Sequence, residues 1–140
     1  MSKKQAAAAP DITPAPISFA LAEQFKPRES VVVEIKDPFG EPTPIKIHLA
    51  GRYTKAFKAA VALASEQSGD EADGTERILN LIVAATTAWE GVLDAEGKAL
   101  PCEAHIVRAL YTHDSIPYVI TQVTQAFTDA SRFFESAKAS

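Results

Sequence analysis

Two short stretches on either side of residue 40 alternate between apolar and mixed positions, and they predict a β-hairpin. Residues 31–36 and 45–50 show this alternation and are rich in β-branched side chains, which favours strands over helices. Between them, residues 37–42 are dense in turn-forming proline, glycine and aspartate. The pattern is typical of an antiparallel pair with one apolar face. Since two strands alone are marginally stable, helices must cover that face.

Helical periodicity dominates the rest of the chain. The predicted helices span residues 53–67, 73–89, 102–111 and 116–134. The second begins with a capping pair, Asp73 and Glu76, and is apolar almost all round, which places it in the core. The last carries the clearest amphipathic stripe. The predicted fold class is therefore α+β and mainly α, with an N-terminal antiparallel β-hairpin packed against a bundle of about four helices.

Composition changes near residue 28 and divides the chain into two predicted parts. Residues 1–28 hold four prolines and an alanine run, which favour a flexible Pro/Ala-rich N-terminal tail. Residues 29–138 form a single predicted α+β domain, a size at which a core closes without disulfides or metals. The tail also carries apolar side chains that could pack on the domain or on a partner: Ile17, Phe19, Leu21 and Phe25.

Charge and composition narrow the classes of partner. The chain has 140 residues, a net charge of -4 and a pI near 5.3. That balance argues against a nucleic-acid partner, which would need a basic surface to displace counterions from phosphate. No apolar run approaches the roughly 20 residues that span a bilayer, so we expect no membrane partner. The single cysteine, Cys102, excludes an intramolecular disulfide, and the expected compartment is a reducing cytoplasm.

The sequence offers no residues arranged for catalysis or metal binding. Cys102 and His105 have the spacing of two metal ligands on one helix face, but no second pair follows. His113, Asp114 and Ser115 are the residue types of a catalytic triad, yet adjacent residues cannot converge as a triad does. No glycine-rich phosphate loop follows a strand. We therefore expect a protein that is not an enzyme, with no catalytic residue, no cofactor and no metal site.

Aromatic side chains in the second half of the chain are the candidate partner-binding residues. They are Trp89, Phe127, Phe133 and Phe134. On a helix, Phe133 and Phe134 would point about 100° apart, so we expect one in the core and the other exposed. Trp89 suits a core or an interface, since buried tryptophan dominates both, and the core is favoured. The acidic cluster at residues 70–76 is interpreted as a solvated loop or as a patch for a basic partner.

The order of these segments resembles that of the tail assembly chaperones of long-tailed bacteriophages (siphophages). The matching stretches are Val31 to Gly51, Trp89-Glu90-Gly91-Val92, Glu96-Gly97, Leu100-Pro101-Cys102, and Ile116-Pro117 through Phe134. The resemblance covers about residues 29–137, which is most of the predicted domain. The chain departs from the family at Cys102, because many relatives carry an aromatic residue after the Leu-Pro pair.

The resemblance implies a soluble, non-enzymatic factor of the host-cell cytoplasm. Such chaperones coat the long helical tape-measure protein and deliver it to polymerising tail-tube subunits, so these two proteins are the implied partners. Self-association stays open. The alternative function is a structural virion component, either a minor tail protein or a head-tail connector subunit, which would use its N-terminal arm for contacts between subunits.

Overall fold

The computed structural model describes residues 17–70 and 73–136, and within them the chain has an α+β fold. In chain order the elements are α1 (Ala20–Gln24), β1 (Phe25–Pro27), β2 (Ser30–Lys36), β3 (Pro42–Ala50), α2 (Lys55–Ser68), α3 (Gly74–Ala85), β4 (Thr86–Glu90), α4 (Ala104–Tyr111), α5 (Pro117–Thr128), a 3-10 helix (Ala130–Phe133) and β5 (Phe134–Ser136). The predicted fold class, an N-terminal hairpin packed against a helical bundle, is confirmed.

Strands β2 and β3 form the predicted hairpin. They are the first two strands of a three-stranded antiparallel sheet with the order β2-β3-β4. Val31 lies opposite Leu49 and Val33 lies opposite Ile47, and all four side chains are buried. The alternate residues of β2 are exposed, so the sheet is covered on one face only, as the alternation predicted.

The second predicted helix ends early, and its last residues form a strand instead. Helix α3 stops at Ala85, and Thr86–Glu90 pair with β3 as strand β4. The prediction of a helix through Trp89 is therefore wrong. The Thr-Thr-Ala-Trp run has the β-branched and aromatic side chains that suit a strand, and β3 offered an unpaired edge. Pairing with that edge outweighed the apolar helical pattern, which only local sequence had supported.

The last predicted helix is also shorter than expected. Helix α5 ends at Thr128, and Asp129 caps the 3-10 helix by accepting hydrogen bonds from the N–H (3.1 Å) and the hydroxyl (2.7 Å) of Ser131. These bonds hold the pKa of the Asp129 carboxyl below its ordinary value. The continuous helix predicted over residues 116–134 is wrong beyond residue 128, because the aspartate bonds the backbone locally and redirects the chain. The first and third predicted helices match α2 and α4 within two residues at each end.

The two ends of the described chain pair with each other. Strand β1 lies antiparallel to β5, with Pro27 opposite Phe134. The N–H of Arg28 donates to the carbonyl of Phe133 (2.8 Å) and continues the pairing toward the domain. Residues 25–28 therefore belong to the folded part of the chain.

The boundary predicted between tail and domain does not coincide with the first paired strand. We placed that boundary at residue 28, whereas strand β1 begins at Phe25. Residues 1–16 of the predicted tail lie outside the described residues, as do the last residues of the predicted domain. The flexibility of the tail stays a prediction.

The core lies between the sheet and helices α3, α4 and α5. Its fully buried side chains are Ile35, Ile47, Leu49, Ile82, Val107, Val119, Val123 and Phe133. Helix α5 also covers the edge of β2, because the Gln122 amide accepts from the N–H of Lys36 and donates to its carbonyl, each at 2.8 Å. Helix α2 packs beside α3 and buries only Ala60, Ala64 and Ser68.

Gly91 turns the chain out of β4, and we expect this position to tolerate no side chain. Its φ is +76°, and a Cβ there would overlap the backbone of Pro44. Gly97 is the matched control, since its φ is +86° but open space surrounds it. Gly97→Ala should lower the free energy of unfolding by about 1 kcal/mol through backbone strain, and Gly91→Ala by at least about 3 kcal/mol. Urea denaturation measures both changes, and equal losses would contradict the close approach.

Candidate functional site

The polar groups that the sequence singled out for chemistry lie apart from one another. Among residues 17–70 and 73–136, no group of three or more His, Cys, Asp or Glu side chains is placed to hold a metal ion. Cys102 is half-buried, and burial raises the pKa of its thiol, which lowers its reactivity at neutral pH. His113 accepts a hydrogen bond at Nδ1 from the N–H of Ser115 (3.1 Å), which is a local turn contact.

Three of the four predicted partner-binding residues contribute to the core. Phe127 and Phe133 are buried, and their rings meet edge to face with 6.4 Å between centroids. The Arg52 guanidinium lies 5.6 Å from the centre of the Phe133 ring, a cation–π contact. Trp89 is half-buried against the core, and its indole N–H donates to the carbonyl of Leu100 (2.8 Å). Phe127 and Phe133 therefore offer a partner no surface, and Trp89 fixes the loop that follows β4.

Phe134 is the predicted residue that lies at the surface. It is half-buried, and its ring lies 5.1 Å from the ring of the exposed Tyr53, between centroids. Phe133 and Phe134 point to opposite sides because the chain passes there from the 3-10 helix into the extended strand β5. The structure divides the pair as expected, with Phe133 inside and Phe134 outside, but for a strand reason rather than a helical one.

An apolar groove lies beside the paired termini, and we call it the terminal groove. It has a volume of 700 Å³ and is lined mainly by Leu21, Phe25, Pro27, Phe134 and Glu135. The register of β1 and β5 explains its apolar floor, because Pro27 lies opposite Phe134 and shares a strand face with Phe25. Sequence patterns did not reveal this groove, since its walls come from both ends of the chain.

The segment that precedes β1 exposes large apolar side chains next to the terminal groove. Ile17 is 77% exposed, Phe19 64% and Leu21 70%, and helix α1 buries none of its residues. Contiguous apolar surface of this kind on a soluble protein commonly marks a contact site. The sequence had pointed to these residues as side chains that could pack on the domain or on a partner.

A second apolar groove lies between α3 and α5, and we call it the helix groove. It has a volume of 350 Å³ and is lined by Thr75, Ile78, Leu79, Ile82, Tyr111, Ile120 and Thr124. Ile82 and Val83 place α3 in the core as predicted, but Ile78 is 51% exposed. The nearly uniform apolar character of α3 therefore serves two purposes: one side of the helix packs in the core, and another lines the groove.

Buried hydrogen bonds fix the helices that surround the helix groove. The hydroxyl groups of Tyr111 and Thr86 lie 2.7 Å apart, which joins α4 to the start of β4. Elsewhere on α3, the buried Asn80 amide donates to the Ser68 hydroxyl (3.0 Å) and accepts from the Arg108 guanidinium. These contacts tie α2, α3 and α4 together, so the helix groove is preformed.

Acidic side chains lie at the N-terminal end of α3, beside Thr75 of the helix groove. Asp73 accepts a hydrogen bond from the N–H of Glu76 (2.8 Å) and caps the helix, as the sequence predicted. Both side chains are exposed. Part of the predicted acidic cluster thus stabilises a helix end and also gives this end of the groove a negative charge.

The helices within the described ranges leave little scope for insertion in a bilayer. None of them is long and apolar enough to cross a membrane. The absence concerns membrane-spanning helices only, and it leaves the two apolar grooves as the surfaces to be explained.

Tyr111 should make the stability of the fold depend on alkaline pH. Burial raises the pKa of its phenol above the ordinary value of 10.0, while the hydrogen bond with Thr86 acts in the opposite direction. The folded state therefore favours the neutral phenol, and this contribution is complete below pH 10 and lost as pH rises further. Tyr111→Phe should cost about 1 kcal/mol at pH 7 but reduce the decline above pH 10.

Urea denaturation between pH 7 and about pH 11 tests this expectation. Tyr53→Phe is the matched control, because the Tyr53 ring is exposed. An alkaline decline that Tyr53→Phe reduces as much as Tyr111→Phe would contradict the role of the buried phenol.

Comparisons with known proteins name no family for this chain. No protein-family model matches it, and no curated protein or solved structure shows a significant match. The resemblance to tail assembly chaperones therefore stays a hypothesis that rests on the sequence segments alone.

Proposed function

We propose that this protein is a non-enzymatic tail assembly chaperone that binds an amphipathic helical segment of the tape-measure protein. The observation that carries the proposal is the preformed apolar helix groove between α3 and α5. The resemblance in sequence supplies the identity of the partner, and the groove supplies a place for it. Delivery of the bound tape measure to tail-tube subunits is the corresponding task.

The shape of the helix groove supports a helical partner. Thr75, Ile78, Leu79 and Ile82 follow one another at helical spacing along α3, and Ile120 faces them from α5. A groove between two helices accepts the apolar stripe of a third helix, whose anchors recur every three or four residues. A tape-measure protein would expose such stripes until the tail tube surrounds it, and covering them would keep it soluble.

The charge at one end of the helix groove favours an orientation for the partner. Asp73 and Glu76 are exposed beside Thr75, so this end carries negative charge. A helix whose apolar stripe is followed by Lys or Arg would place those cations against the two carboxylates. Such pairing steers the encounter and selects the register more than it adds affinity.

Ile78 is the residue whose substitution tests the helix groove most directly. Ile78→Asp places a charge in the apolar wall, and because the side chain is half exposed, the fold should keep its stability. We expect affinity for the co-expressed tape-measure protein to fall at least about tenfold. Leu93→Asp is the matched control, since Leu93 is equally exposed, 53%, but lies outside the groove. Quantitative co-purification would contradict the proposal if both variants retained the tape measure equally.

One observation favours the second candidate function, a structural subunit of the virion. The apolar side chains of Ile17, Phe19 and Leu21 form an exposed arm that could bind a neighbouring subunit. Quantitative mass spectrometry of purified virions and of the lysate separates the two functions. For a chaperone we expect abundance in the lysate and absence from particles. A fixed integral copy number in particles would establish the structural subunit and overturn the chaperone.

A further inference from the structure

We infer that the terminal groove binds a second copy of this chain, so that two copies exchange their N-terminal segments in a symmetric dimer. In this arrangement, residues 17–21 of each copy lie in the terminal groove of the other. The dimer is independent of the helix groove, because the two grooves share no lining residue.

The chain carries both halves of such an interface. Ile17, Phe19 and Leu21 project as exposed apolar side chains, and the groove that could receive them is lined by Phe25 and Phe134. A surface with a projection and a matching groove is self-complementary, which is the requirement of a two-fold interface. No second type of protein is needed to cover either half.

The segment does not fill the groove of its own chain. Leu21 contributes to the groove wall but remains 70% exposed, and α1 buries none of its residues. A helix of one turn has no stability of its own, because its few hydrogen bonds do not offset the cost of nucleation. Contacts from outside the chain are therefore expected to hold α1, and a second copy provides them at both segments simultaneously.

The apolar area is sufficient for a dimer but small for a one-sided contact. Ile17, Phe19, Leu21, Phe25 and Tyr53 together expose on the order of 500 Å² per copy, given the usual areas of such side chains. A reciprocal exchange buries this surface twice, about 1,000 Å², and the facing groove adds to it, which reaches the range of specific interfaces. A partner that covered one copy alone would bury half as much.

A polar rim borders the apolar surface. Arg28 and Glu135 form an exposed ion pair at 3.3 Å, and the Arg28 side chain also donates to the carbonyl of Phe134 (3.2 Å). The ion pair holds β1 against β5 and leaves Phe25 and Phe134 on the apolar face. An apolar centre with a charged border is the usual anatomy of an interface.

Sedimentation equilibrium of the full chain tests the dimer, with Leu21→Glu as the variant. The wild-type chain should associate as a dimer at micromolar to millimolar concentration, and Leu21→Glu should weaken association at least about tenfold. The variant should fold, because Leu21 is exposed, and circular dichroism verifies this. Phe39→Glu is the matched control: Phe39 is 90% exposed in the β2–β3 turn, and its dimer should be unchanged.

Isotope-filtered nuclear Overhauser spectra of mixed labelled and unlabelled copies locate the contact. Contacts between the Leu21 methyl groups of one copy and the Phe134 ring of the other are expected. A wild-type chain that is monomeric throughout, or a dimer that Leu21→Glu does not weaken, would overturn the inference. Contacts confined to a single chain would overturn it too, and would assign the groove to an intramolecular segment.

Discussion

The apolar face of the β2–β3 hairpin is the constraint on which the rest of the structure depends. Val31, Val33 and Ile47 each gain about 2 kcal/mol from burial, but only if helices cover them, since two strands alone are marginal. Strand β4 widens the face, and α3, α4 and α5 cover it. The positions of α3 and α5 follow from this covering, and the space between them is the helix groove.

The pairing of the two chain ends depends on one buried anchor. Phe133 is 0% exposed in the core, and the next residue begins β5, which holds β1. A two-stranded ribbon of three residues per strand would not persist alone, so its stability comes from this anchor and from the Arg28–Glu135 pair beside it. The anchor buries one phenylalanine and necessarily turns the following one outward, which creates the apolar wall of the terminal groove.

Two separate apolar grooves give the proposed chaperone a division of tasks. The helix groove is rigid, because buried hydrogen bonds around Tyr111 and Asn80 fix its walls. The terminal groove adjoins a segment that its own chain leaves exposed. A dimer formed through the terminal grooves would present two helix grooves to one long helical partner. The second binding event would then occur at a high effective concentration and raise the avidity without new contacts.

Local sequence determined the elements whose periodicity and caps agree: the β2–β3 hairpin, the Asp73 cap of α3, and helices α2 and α4. It failed at residues 86–90 and beyond residue 128, where an apolar run fits a helix or a strand equally well and only a partner decides. Phe127, Phe133 and Phe134 were found as a group from sequence, but their division between core and surface depends on where α5 ends. Both grooves arise from elements distant in the chain. Periodicity reports the environment of one segment, whereas a groove is a relation between segments that only the folded structure creates.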